Sequence, residues 1–351
     1  MNPELIEQHA NRLLGAMTGA ATTAMVAVGD RLGLYRALAD GGPATPPELA
    51  ARTGAAARYL QEWLSQQAAA GFLDYTAGDG RYTLTAEAAA VLAFETSPAF
   101  LAGGATITRG WFAGIDRLAE AFRTGAGIPW HEQDPAVFLG TERFFRPGYA
   151  ANLTTEWLPA LPGVADRLAA GGRVADVGCG HGAAAILLAQ AYPLASVHGY
   201  DFHERSVEIA RQRATQADLD GRIHFETFDA TGYPAAGFDL ICLLDTLHDL
   251  GDPAAALAHA RKALAADGTV LVVEPNAADD HAANLANPLA ALSYAASTFQ
   301  CTPAALAQAG GFALGAQAGP AVVSRLATDA GFSHVRKVAE TAVNVVLELR
   351  P

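Results

Sequence analysis

His248 and Asp249 stand side by side in "LLDTLHDLGDP", and Glu274 closes the apolar run "VLVVE". An imidazole beside a carboxylate that can orient it is suited to holding or moving a proton near neutral pH. A second constellation lies upstream. In "RVADVGCGHG", Asp176, Gly178, Gly180 and Gly182 occupy alternate positions. Glycines there let the backbone approach a ligand closely. A dinucleotide loop, G-x-G-x-x-G, aims a helix N-terminus at pyrophosphate. Here Ala183 takes the place of that pattern's third glycine. A carboxylate just before the loop repels phosphates and suits a ligand carrying positive charge.

Further candidates follow at regular intervals. Asp201 in "GYDFHE" falls about one strand-helix-strand unit later, where a carboxylate can accept both ribose hydroxyls. Either nucleotide family would allow this. In "ETFDATGYP", Asp229 and Ala230 are an acidic and a small residue suited to an adenine amino group and ring face. Each also reads as an ordinary loop or cap residue. Phe202, Leu244 and Tyr149 complete the candidate cofactor contacts.

The elements that must position these residues alternate from Arg173 onward. Strands are predicted at 173–177, 196–200, 222–226, 238–244 and 269–274, with helices near 183–191, 204–217 and 253–265. That alternation predicts an α/β, doubly wound Rossmann-like sheet with ligands at the carboxyl ends of its strands. After a helix near 321–330, "SHVRKVAE" and "TAVNVVLELR" predict an antiparallel hairpin closing the sheet.

Residues 1–100 are mainly helical. "TTAMVAVGDRLGLYRALADG" predicts one amphipathic helix, and Thr45 a helix N-cap followed by prolines. "AARYLQEWLSQQAAAG" predicts a helix stopped by Gly71, and "FLDYTAGDGRYTLT" a hairpin. Helices followed by a hairpin make a winged helix. Its candidate recognition helix carries Arg58 and Glu62, and its hairpin carries Arg81 against Asp74 and Asp79. No basic face is available to displace counterions from phosphate, so a dimerisation module is expected and nucleic-acid binding is not. Residues 101–170 are a helical connector containing Trp111, Phe112, Trp130, Phe138, Phe144, Phe145, Tyr149 and Trp157. Most are expected in the core, and some in a pocket between the domains. Residues 171–351 form the third region.

The 351 residues are 51% hydrophobic with a formal net charge of -13, enough for two cored domains and unfavourable for nonspecific nucleic-acid binding. The three cysteines, Cys179, Cys242 and Cys301, match no zinc spacing and suit a reducing cytoplasm. "MNPELIEQHANRLLGAM" lacks the pattern of a signal peptide, and no uncharged apolar run reaches transmembrane length.

"DVGCGHG", "GYDFHE", "FDATGYP", "LLDTLHDLGDP" and "VLVVEPNAADD" together resemble class I methyltransferases that use S-adenosylmethionine (SAM). More narrowly, nearly the whole chain is similar to small-molecule enzymes with an N-terminal winged-helix dimerisation domain. "NLANPLAALSYAASTFQCTP…LGAQAG" resembles a mainly actinomycete group acting on natural products, with indole C3 methylation among its relatives. The resemblance implies SAM as cofactor, S-adenosylhomocysteine (SAH) as product, and a homodimer. It implies a small, aromatic or heteroaromatic acceptor methylated on O, N or C.

In plant phenolic O-methyltransferases a His-Asp pair at this place carries the catalytic base, and a Glu ending the next strand orients it. His248 and Glu274 match those positions, whereas Leu250 replaces the plant Trp and the preceding Lys is missing. Some related C-methyltransferases bind a metal here through a His pair, for which His281 is the available partner. The sequence shows no compact ligand cluster, so no metal is expected. An alternative for His248 is a loop histidine capping Asp252 or the backbone. His9, His181, His198, His203 and His334 read as structural or solvent-facing. The long segment 275–320 is expected to cover the acceptor. Asn276, Tyr294, Phe299 and, from the connector, Trp111 are the candidate acceptor contacts. The rival reading is a regulator that binds SAM or a metabolite and reads DNA through the winged helix.

Overall fold

A computed structural model describes residues 1–351. It contains two compact units, one of residues 1–112 and 135–148, the other of residues 113–134 and 149–351.

The first unit is built on helices Pro3–Arg31, Leu34–Gly41, Pro46–Thr53 and Ala57–Ala69, followed by the hairpin β1 (Asp74–Thr76) and β2 (Arg81–Thr83). Thr45 caps its helix as expected. Its hydroxyl accepts from Glu48 N, and Glu48 reaches back to Thr45 N. The single helix expected across "TTAMVAVGDRLGLYRALADG" is instead two. The chain breaks at Gly33, whose φ of 66° no continuous helix accommodates. The apolar periodicity runs through Leu32 and Leu34 and conceals the break.

Helix Pro3–Arg31 packs its carboxyl end on helix Ala57–Ala69. Trp63 Nε1 donates to Met25 O at 2.9 Å, and Gly29 lets the Trp63 ring approach. Arg143 then grips Asp30 in a two-pronged ion pair of 2.6 and 2.8 Å and also reaches Glu95. By length and composition this helix could span a bilayer, which qualifies the sequence expectation. The helix carries charged residues among its apolar ones, so it is not the uncharged run that the sequence expectation concerned. Residues 1–18 of the chain are exposed on every side.

The second unit carries a seven-stranded sheet of β3 (Arg173–Val177), β4 (Ser196–Asp201), β5 (Ile223–Thr227), β6 (Phe238–Leu244), β7 (Leu264–Pro275), β8 (His334–Glu340) and β9 (Asn344–Arg350). The order is β5-β4-β3-β6-β7-β9-β8. The first five strands are parallel, and β9 runs antiparallel to both β7 and β8, closing the sheet as expected. Val174, Ala175, Leu240, Ile241, Val270 and Leu271 are fully buried, the pattern of parallel strands covered on both faces. The strand order reverses between β3 and β6. A ligand crevice in such sheets opens at that switch point, beyond the strands' carboxyl ends.

Candidate active site

The glycine loop leaves β3 at this switch point, and each glycine meets a different constraint. A Cβ on Gly178 would fall 2.3 Å from the Thr246 side chain, and one on Gly182 would fall 2.7 Å from the Phe225 ring. Those two glycines serve packing. Gly180, at φ 51°, has no heavy atom within 4 Å of its Cβ position and faces open space. Its N–H donates to Asp201 Oδ2 at 2.9 Å, while Asp201 Oδ1 accepts from His203 N at 2.8 Å. Asp176 accepts from Ala185 N in the first turn of helix Ala183–Ala191 at 3.1 Å. Burial, with Asp201 nearby, pushes the Asp176 carboxyl up to about 7. Burial also raises Asp201.

Asp245, just past β6, is a residue at this edge that the sequence did not single out. Its φ is 49°, a left-handed conformation that costs a non-glycine residue roughly 1–3 kcal/mol. Tyr149 donates its hydroxyl to Asp245 Oδ2 at 2.7 Å, and Asn344 Nδ2 donates to Asp245 Oδ1 at 2.8 Å. Tyr149, one of the predicted cofactor contacts, thus meets the sheet edge through Asp245. Burial lifts the Asp245 carboxyl to about 7 against the pull of the Tyr149 hydrogen bond.

His248 sits on a 3-10 turn, Leu247–Asp249, and is only 5% exposed. Its Nδ1 lies 2.9 Å from Glu274 Oε2, and Glu274 Oε1 accepts from Leu247 N at 3.1 Å. The two predicted catalytic residues are therefore joined. His248 does not cap Asp252, whose side chain accepts instead from Ala255 N. Nε2 points towards Asp249 Oδ1 at 3.3 Å. Burial alone would depress the imidazole, but Glu274 and Asp249 outweigh it and raise its pKa well above the ordinary value. The electrostatics favour the imidazolium, where a free base would be neutral. Cys301, buried at the end of the π-turn Ser297–Cys301, joins His248 and Asp249 in one cluster. Burial, with Asp249 nearby, pushes its thiol up to about 12.

The remaining candidates are placed as follows. Phe202 is 43% exposed beside Asp201, and Leu244 is buried at the end of β6. Asp229 Oδ1 accepts from Thr231 N and Oγ1, and Ala230 packs on the core of the sheet domain. Asn276 is tied to the hairpin, its Nδ2 donating to Thr341 O at 2.8 Å and to Glu340 at 3.1 Å. Tyr294 lies 3.1 Å from His281 Nδ1. The His248 cluster contains Asp249 and Cys301, whereas the resemblance had suggested His281. Phe299 O accepts from Gln133 Nε2 at 3.3 Å. Trp111 is buried on helix Ala102–Ala113, in the first unit.

Residues 168–310 match the family described as "Methyltransferase domain", and residues 20–94 match "Rv2258c-like winged HTH domain". Among curated proteins, the chain is 44% identical over 87 residues to 27-O-demethylrifamycin SV methyltransferase of Amycolatopsis mediterranei (strain S699), covering 24% of this chain and 32% of that protein. It is 36% identical over 115 residues to trans-aconitate 2-methyltransferase of Streptomyces coelicolor (strain ATCC BAA-471 / A3(2) / M145), covering 32% of this chain and 35% of that protein. These matches span about a third of those relatives' length. Whole-chain likeness appears in solved structures. Human N-acetylserotonin methyltransferase in complex with SAM has a TM-score of 0.72 at 21% identity over 97% of both chains. Mitomycin 7-O-methyltransferase MmcR has 0.67 at 21% identity over 100% of both. The methyltransferase fold thus accompanies the winged-helix module expected from the sequence.

Proposed function

We propose that the protein is a SAM-dependent methyltransferase acting on a small aromatic or heteroaromatic metabolite. One observation carries the cofactor reading. Asp176, Asp201, Asp245 and Glu274 are gathered at the carboxyl edge of the sheet, and the hydrogen-bond partners described for them are backbone amides, Tyr149, Asn344 and His248, with no Arg or Lys. Such an edge suits a ligand bearing an ammonium and a sulfonium and repels pyrophosphate. Open space at Gly180 leaves room for close backbone approach.

When bound, SAM supplies an electrophilic methyl group. The chain's own part is to align the acceptor and exclude water. His248, fixed by Glu274, is the side chain assigned to the acceptor's reacting end. Tyr294, Phe299 and Asn276 are the assigned acceptor contacts, although Asn276 also serves the hairpin. The acceptor atom, O, N or C, is left to the chemistry of the substrate. Support for a natural-product acceptor comes from relatives such as the rifamycin-series enzyme.

The proposed homodimer through the N-terminal helix is supported by Leu5, Ile6, Leu13, Leu14 and Met17, all at least 51% exposed. The winged-helix description favours one second reading, a DNA-binding regulator. Against it, Arg58 pairs with Glu62 and Arg81 with Glu48 and Pro43 O, so a carboxylate beside each guanidinium weakens its pull on phosphate. A salt-dependent gel shift tests this directly; retardation of DNA by the full chain would restore the regulator. Free thiols at Cys179, Cys242 and Cys301 suit a cytoplasmic setting. The catalytic reading is tested by methyl transfer from labelled SAM to candidate aromatic acceptors.

A further inference from the structure

The fold builds a cluster that spacing in the sequence conceals. His248 and Asp249 come from the turn after β6, and Cys301 from a π-turn 52 residues past Asp249. A ring nitrogen, a carboxylate oxygen and a thiol sulfur then lie within 4.8 Å of one another. We propose that His248 Nε2, Asp249 Oδ1 and Cys301 Sγ bind a divalent transition-metal ion of the zinc and cobalt class.

Three further observations point the same way. The 3.3 Å between Nε2 and Asp249 Oδ1 equals, to about 0.1 Å, the separation of two tetrahedral ligands held roughly 2.0–2.1 Å from zinc. Asp249 Oδ1 is buried, and its 3.3 Å contact with the His248 ring is an ion pair without hydrogen-bond geometry. A divalent cation between the two donor atoms would give this acceptor a directional partner in place of the ion pair. Glu274 holds the other ring nitrogen, Nδ1, at 2.9 Å. A carboxylate behind the imidazole is the arrangement that fixes metal-binding histidines.

The cluster is held from outside as well. Gln308 donates to Asp249 O at 2.7 Å and to Ala304 O at 3.1 Å, and accepts from Gly251 N at 3.1 Å. It ties the His248 turn to helix Thr302–Leu306, which directly follows Cys301. Mixed N, O and S donors favour zinc-class ions over magnesium or calcium, which take oxygen. Binding displaces the thiol proton and the Nε2 proton of the imidazolium to solvent as the sulfur–metal and nitrogen–metal bonds form. Three protein ligands leave a coordination position for an oxygen of the acceptor, such as a phenolate or enolate. That assignment of the acceptor rests on the proposed methyl transfer; the metal site itself does not.

Cobalt(II) reports sulfur ligation optically. The full-length chain, stripped with chelator, is titrated with Co²⁺, and SAH binding is followed separately by calorimetry. The expected result is one ion per chain with visible d–d bands and a near-ultraviolet thiolate-to-cobalt band, all lost on adding Zn²⁺. Cys301→Ala should remove the near-ultraviolet band and weaken Co²⁺ at least tenfold, and His248→Gln should weaken it further. Both variants should still bind SAH, which certifies their fold. A featureless titration of the wild-type chain, or a thiolate band that survives Cys301→Ala, overturns the metal site. Failure of the wild-type chain to bind SAH would instead count against the methyltransferase reading.

Discussion

His248 and Glu274 meet across the carboxyl ends of β6 and β7, Nδ1 to Oε2 at 2.9 Å, with Glu274 only 1% exposed. Glu274 also accepts from Leu247 N, so it fixes the turn and the ring together. His248→Ala should therefore slow methyl transfer by roughly 10²–10⁴-fold, whether the ring moves a proton or holds a metal ion at the acceptor. SAH affinity should stay within about twofold, because His248 lies outside the glycine loop and the Asp201 region. Glu274→Gln keeps the shape and should lose less. Single-turnover transfer and calorimetry measure the two effects separately; a near-wild-type rate for His248→Ala would remove the residue from the reaction.

Asp245 ties Tyr149 to Asn344 at the same edge. The Tyr149 hydrogen bond favours the ionised carboxylate, so Tyr149→Phe should move the Asp245 titration upward from about 7. It should also cost about 1–2 kcal/mol of stability, as one hydrogen bond to a buried charged group is lost. Carboxyl infrared difference spectra against pH follow the titration, and denaturant unfolding follows the stability. A downward shift would mean that the hydroxyl does not support the charge.

Buried Asp176 sets a second pH dependence. Its folded pKa, about 7, lies above the usual unfolded value near 3.9, so the folded chain binds the extra proton between those limits. Its contribution to stability thus falls as pH rises from about 4 to 7. Asp176→Asn should flatten the decline, as measured by urea unfolding across that range. An unchanged slope would place the titration elsewhere.

Much of this arrangement is legible in residue order. The strands, the glycine loop, the Thr45 cap and the closing hairpin follow from local patterns, and the pairing of His248 with Glu274 from the resemblance to plant phenolic O-methyltransferases. Other features are set by tertiary geometry. Asp245 reads as a strand-end polar residue until its left-handed φ and its bonds to residues 96 positions before and 99 after are seen. Cys301 lies in an apolar helical run and shares no ligand spacing with His248. Asn276 follows Glu274 closely, but its amide serves the hairpin turn.

The exposed apolar side chains of helix Pro3–Arg31 give a test of assembly. If the proposed homodimer forms through this helix, replacing Leu13 and Leu14 together by Glu should give a monomer in light scattering, with the fold retained by circular dichroism. A wild-type chain that is already monomeric would contradict the assignment of this helix to self-association.

The central claim is that the sheet edge holds a cationic nucleoside ligand, and calorimetry with SAM, SAH and NAD tests it most directly. SAM and SAH should bind and NAD should not. SAM affinity should rise with pH through about 7, because ionised Asp176 and Asp245 favour the cation. Asp201→Ala should weaken SAM by about 1.5–3 kcal/mol, the scale of hydrogen bonds to a charged group. Tight NAD binding with no SAM binding, or SAM affinity that falls with pH over this range, would contradict the account.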